Sequence, residues 1–134
     1  MFPTNSRATE RLRSELIIWL TTVRANGQPQ SSAVWFIVEG DEFLIYSKPQ
    51  VAKVDNIEAN PRVALHLDGN GRGGDIVTVE GTARIVAEHP SADQVPEFVD
   101  KYGEAIMRNG WTPASFAADY SVPIRVRFTR GRAW

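Results

Sequence analysis

From Leu16 to Val38 the apolar residues fall in two runs, LIIWLTTVR and SSAVWFIV, separated by ANGQPQ. Leu, Ile, Trp, Thr and Val favour extended backbone, and Asn26-Gly27 suits the positive φ angles of a tight hairpin turn, so this segment predicts strands over about 16–24 and 31–38. In the second run Ser32, Val34, Phe36 and Val38 alternate with Ala33, Trp35 and Ile37, and both sets are largely apolar. A strand apolar on both sides predicts a barrel wall whose outer face is covered by a helix or by a second subunit.

Further along, Glu39-Gly40-Asp41 makes a turn and EFLIYS returns as a third strand. VAKVDNIEAN reads as a helix of about ten residues, stopped because Asn60 precedes a proline. RVALHLD is a fourth strand, GNGRGGD a flexible loop, and DIVTVEGTARIVAE a fifth strand in which Gly81 marks a bulge or bend. Ser91 to Asn109 is helical with Pro96 near its start, PASFAADY adds a helical turn or two, and VPIRVRF is a sixth strand. At the other end SRATERLRSE predicts a short polar helix capped by Ser6. With no repeat and no linker, the order fits one mainly β domain over 1–134, a six-stranded antiparallel barrel with short peripheral helices.

Composition narrows the chemistry. Apolar residues make up 43% and charged residues 23% of the 134, and the net charge is -1, so no broad basic field exists to hold nucleic acid or an anionic membrane. The absence of cysteine removes disulfides and thiolate chemistry. His66 and His89 are the only histidines, which argues against a transition-metal site. The longest apolar run, Leu16 to Leu20, is far below the ~20 residues of a spanning helix. No apolar stretch follows Met1 closely, and the expectation is a cytoplasmic protein.

Several motifs lead nowhere. Gly69, Gly71 and Gly74 satisfy Gly-x-Gly-x-x-Gly, but a dinucleotide fingerprint opens a helix, and here the glycines lead into the strand DIVTVEG. His66 sits beside Ala64 and Asp68 on one strand face, a packing or surface position. The carboxylates Asp41, Glu42, Asp55 and Glu58 form no acid-base pair, and there is no Gly-x-Ser-x-Gly elbow. Arg125 and Arg127 read as the solvated side of an amphipathic strand opposite Ile124, Val126 and Phe128, with a bidentate anion site as the alternative for the cluster that includes Arg130 and Arg132.

The lysines are more informative. The chain has only three, and two of them, Lys48 and Lys53, lie five positions apart where the third strand gives way to the short helix. Lys53 falls in the first helical turn, where the macrodipole is already positive and a cation is disfavoured unless something negative compensates. Asp55 and Glu58 are wrongly spaced to do so. Together with the Ser47 hydroxyl at the strand end, Lys48 and Lys53 outline a phosphate-sized anion site. Two solvated surface lysines are the competing reading of the same stretch.

T-x-R-x-x-G-Q-P-Q-x-S-x-V-W-F, L-I-Y-S, A-K-V-x-N-I-x-x-N-P-R-V-A-L and V-x-V-E-G-T-A, taken together over about Leu16 to Val86, resemble the flavin and deazaflavin split β-barrels related to pyridoxamine-phosphate oxidase. The likeness is greatest to the branch that uses the deazaflavin coenzyme F420. It implies a split barrel, a homodimer with two cofactor sites at the subunit interface, and hydride transfer to a small organic acceptor. It also implies that Lys53, Lys48 and Ser47 anchor the cofactor phosphate, while Gln30, Ser32 and the backbone near Val34 lie against the tricyclic ring. FMN in the same fold is one alternative, and a non-catalytic barrel carrying flavin or haem is another. No residue stands out as a general acid. The Arg-x-His pair that pyridoxamine-phosphate oxidases carry near the C-terminus is replaced here by Arg125-Val126-Arg127, and position 51 is Val where some relatives carry a second cation.

Overall fold

The computed structural model describes Phe2 and residues 5–134. Helix α1 (Ser6–Ser14) is capped by Asn5, one residue before the expected Ser6, because the Asn5 side chain accepts the Ala8 N–H at 2.9 Å. Seven strands follow in place of the expected six. They are β1 (Ile18–Val23), β2 (Pro29–Val34), β3 (Phe36–Glu39), β4 (Glu42–Ser47), β5 (Arg62–His66), β6 (Val77–Ile85) and β7 (Val122–Ala133). Helix α2 (Ala52–Ala59) links β4 to β5, and α3 (Pro96–Arg108) and α4 (Pro113–Asp119) lie between β6 and β7.

All pairings are antiparallel and the strand order is β2-β1-β5-β6-β7-β4-β3. The additional strand arises at Trp35, where one expected strand divides into β2 on one edge of the sheet and β3 on the other. The sheet therefore curls until its two edges are successive stretches of the same chain, the form of a split β-barrel.

The break is held by Tyr102 of α3. Its hydroxyl accepts the Phe36 N–H at 2.8 Å and lies 2.8 and 3.0 Å from the carbonyl oxygens of Leu16 and Phe36, one of which takes its proton. A backbone donor that has left the ladder is thus satisfied by a buried side chain.

Two apolar clusters result. Inside the barrel Ile18, Leu20, Val34, Phe36, Phe43, Ile45, Leu65, Val79, Ile124 and Val126 pack together. Outside it Ile37, Leu44 and Tyr46 pack under Phe98, Tyr102, Ile106 and Phe116 of α3 and α4. The outer cover expected for the two-sided strand is thus supplied over β3 and β4 by the chain's own helices. Burying one such large side chain contributes about 1.5–3 kcal/mol, so both clusters matter to a domain this small.

Glycine acts at two positions. Gly27 has φ +88° in the β1–β2 turn. At Gly81 the register shifts against β7, and a Cβ there would stand 2.7 Å from the Arg127 carbonyl oxygen, so the bulge admits no side chain. β7 continues past the expected residue 128, pairing Arg130 and Arg132 with Glu80 and Thr78.

Candidate functional site

Helix α2 starts without a side-chain cap, because its N-cap residue is Val51, and the first-turn N–H groups have no side-chain acceptor. Lys53 belongs to that turn and is half-buried, and burial alone lowers the pKa of its amine below the ordinary lysine value. No carboxylate among the described residues lies in ion-pair reach of it. A partly desolvated cation at the positive end of a helix is held there by the fold at a cost.

Lys53 borders two cavities that follow one another along β2. The smaller, about 190 Å³, is lined by Thr22, Gln30, Ser31, Ser32, Val51, Ala52 and Lys53. The larger, about 290 Å³, takes Ala33, Val34 and Trp35 from the same stretch of chain, with Tyr46 and Ser47 from the end of β4. Gln30, Ser32 and Lys53 thus meet in the smaller cavity, and Val34, Ser47 and Lys53 in the larger. Lys48 lines neither; it is exposed, with its amine 5.5 Å from the centre of the Tyr120 ring.

The polarity of Gln30 is fixed from outside the cavity. Its Oε1 accepts from Arg24 Nε at 3.3 Å and from Asn56 Nδ2 at 3.3 Å, and the same Asn56 nitrogen donates to Thr22 Oγ1 at 3.0 Å. Arginine has no acceptor atom, so the atom facing Arg24 must be the amide oxygen, and the amide NH2 of Gln30 is left as its free end. Asn56 and Thr22 are buried beneath this contact. Asn56 lies three residues after Lys53, on the same side of α2, which was legible in the sequence; its partnership with β1 and β2 was not.

The larger cavity has an aromatic wall that single-strand patterns do not reveal. Trp35 stacks on Tyr102 at 4.6 Å and on Phe116 at 5.2 Å, Phe116 stacks on Tyr120 at 4.5 Å, and Trp111 leans on Trp35 and Phe116. Trp111, Phe116 and Tyr120, with Asn109, reach the cavity from the α3–α4 segment, distant in sequence from Lys48 and Lys53. The four-residue spacing of Phe116 and Tyr120 places them on one helical face and was the available signal. None of the GNGRGGD loop lines either cavity; Asp75 and the carbonyl of Asp68 are instead bonded to Arg7 and Arg11 of α1.

Arg125 is committed elsewhere. It is largely buried, 2.9 Å from Glu39 and 3.4 Å from Glu42, and its Nη2 donates to His89 Nε2 at 2.8 Å. Its expected place on a solvated face is thereby corrected, since the β3–β4 hairpin supplies carboxylates that neutralise it; Arg127 does remain exposed, 4.0 Å from Glu42. Among the described residues no group of His, Cys, Asp and Glu could hold a metal ion. No helix among them is long and apolar enough to cross a membrane.

The profile of the family described as Pyridoxamine 5'-phosphate oxidase matches residues 5–134, and the chain belongs to this family. No curated protein matches the sequence. Solved structures do. An F420 reductase is 27% identical, covering 96% of this chain and 97% of its own, with a TM-score of 0.72. A conserved hypothetical protein from Mycobacterium tuberculosis is 25% identical, covering 98% of this chain and 85% of its own, with a TM-score of 0.75. The haem storage protein of Vibrio cholerae shares the fold at 15% identity and a TM-score of 0.66, covering 96% of this chain and 93% of its own.

Proposed function

We propose that this chain is a homodimeric oxidoreductase that binds the deazaflavin coenzyme F420 and serves hydride transfer to a small organic acceptor. The observation that carries the reading is the half-buried Lys53 amine, without a carboxylate among the described residues, standing between two cavities strung along one strand. A ligand with an acidic group and a flat ring answers both features, and the likeness to an F420 reductase supports this choice.

The division of labour follows from the lining. Lys53 would hold the phosphate in the smaller cavity; Gln30 and Ser32, which the resemblance implies at the ring, line that cavity with it and are reassigned to the phosphate. The ring would lie in the larger cavity against the backbone near Val34, with the Trp35–Phe116–Tyr120 stack on the far side; Ser47, which the resemblance implies at the phosphate, lines this larger cavity together with Lys53. Lys48 sits at the rim, where it meets the acidic tail. When bound, the cofactor supplies the hydride, and the proton that completes the reduction comes from water or from substrate. Neither His66 nor His89 lines the two cavities, so a haem there would have no histidine ligand from this chain.

Titration of the purified protein with coenzyme F420, FMN and haem, repeated on Lys53→Ala, tests this. Loss of a buried charged anchor should weaken deazaflavin binding by about tenfold or more. Equal affinity in the variant would refute the anchor.

Dimerisation uses the outer face of β2, β1 and β5, which no helix among the described residues covers. There Ala33, Trp19 and His66 form one row and Ser31, Thr21 and Ala64 the next. Trp19 and His66 are parallel at 6.3 Å, and Ala33 and Ala64 let another backbone approach closely.

A further inference from the structure

Lys101, the third lysine of the chain, lies apart from both cavities described above. It lines a separate groove of about 620 Å³ bounded by the end of α1, by β3 and by α3. Leu16, Ile37 and Val38 give this groove its apolar lining, and Arg13, Glu97 and Asp100 are its other charged groups. The Lys101 amine donates to the Phe36 carbonyl at 2.9 Å and stands 3.8 Å from the centre of the Phe36 ring, with the Tyr102 ring at 5.4 Å. Among the described residues no carboxylate forms an ion pair with it. Burial therefore holds its pKa down at about 8, and Glu15, acting from beyond ion-pair reach, opposes this only in part.

A neutral lysine amine has two N–H groups and a lone pair. Here the Phe36 carbonyl takes one N–H, and the negative face of the Phe36 ring attracts the second and repels the lone pair. The lone pair is thus the end left for the groove. We infer that Lys101 is a nucleophilic lysine, acylated by small acyl thioesters that enter this groove. In that step the Nζ lone pair attacks the thioester carbonyl carbon, the C–S bond breaks, the thiolate leaves with the electron pair, and the proton released by the nitrogen passes to water. The amide formed keeps one N–H for the Phe36 carbonyl, and its acyl chain lies against Leu16, Ile37 and Val38. The fold also loses a charge that it buries at a cost. At about pH 7.5 an amine that titrates at about 8 is neutral roughly two hundred times as often as an ordinary lysine. Lower basicity takes back about tenfold in intrinsic nucleophilicity, so a net advantage of about tenfold remains.

The test treats the full chain with the acetyl thioester of N-acetylcysteamine, a small uncharged probe, and follows Lys101 and the exposed Lys48 by peptide mass mapping. In the folded chain at about pH 7.5, Lys101 should be acetylated about tenfold faster than Lys48. Its rate should near a plateau by about pH 9, one unit past its titration, whereas an ordinary lysine goes on gaining beyond about pH 10. In guanidinium chloride, where the groove is gone, the two lysines should react alike. Lys101 reacting no faster than Lys48 in the folded chain, or keeping its lead once the chain is unfolded, would overturn the inference and leave the cofactor reading untouched.

Discussion

Lys101 illustrates how a single buried charge ties stability to pH. Its amine donates to the Phe36 carbonyl at 2.9 Å and stands 3.8 Å above the centre of the Phe36 ring. Burial holds its pKa down at about 8, against 10.5 for an ordinary lysine. Between those values the unfolded chain binds more protons than the folded one, so stability rises with pH across that window. Burial acts in the opposite sense on Tyr46, whose phenol is pushed from 10.0 up to about 12. The folded chain keeps that proton longer than the unfolded one, and stability falls over that interval; Tyr102, also raised by burial, acts in the same direction. Urea unfolding followed by tryptophan fluorescence should show stability climbing above pH 8, cresting near pH 10 and then declining. Lys101→Met should remove most of the climb and keep the decline; an unaltered climb would show that another group is responsible. Lys53, lowered in the same direction, accounts for what remains.

Among the elements, the passage from β2 to β3 governs the most. Tyr102→Phe keeps the ring stacked on Trp35 but leaves the buried Phe36 N–H without an acceptor, which should cost about 1–3 kcal/mol in urea denaturation. A cost within about 0.5 kcal/mol, the range of an ordinary surface change, would mean that the hydroxyl is dispensable. This break was invisible in the sequence, because the alternation of Val34, Trp35 and Phe36 runs through it uninterrupted. Period-2 patterning reports which way side chains point and says nothing of which strand is the neighbour. Features dictated by local chemistry were legible: the Asn26-Gly27 hairpin, the Gly81 bulge, Pro96 as the first residue of α3 and Lys53 in the first turn of α2. The expected helix from Ser91 instead starts with a short 3-10 turn, Ala92–Gln94, since Pro96 cannot donate a helical hydrogen bond and is admitted only at the start of α3. The aromatic wall was hidden for a different reason. Trp35 and Trp111 meet only once α3 and α4 have folded back over β4, a contact between distant segments that no local window contains.

For the whole molecule, the two faces of the sheet have different fates. Over β3 and β4 the outer face is covered by α3 and α4, whereas over β2, β1 and β5 it is open. If that open face joins two copies, Ala64→Arg should set a bulky charge at its centre and shift sedimentation from dimer to monomer at micromolar concentration, while circular dichroism stays unchanged. A dimer that tolerates the substitution would move the interface elsewhere. The edges of the sheet carry one last consequence. Because β2 and β3 are joined by Trp35 alone, the two halves of the molecule are in phase to the residue: Phe36 enters the barrel and Ile37 goes beneath the helices. Evolution can lengthen almost any surface connection of this chain, but a single codon added at this seam would exchange the contents of both cores at once, so insertions and deletions there should be the rarest in its descendants.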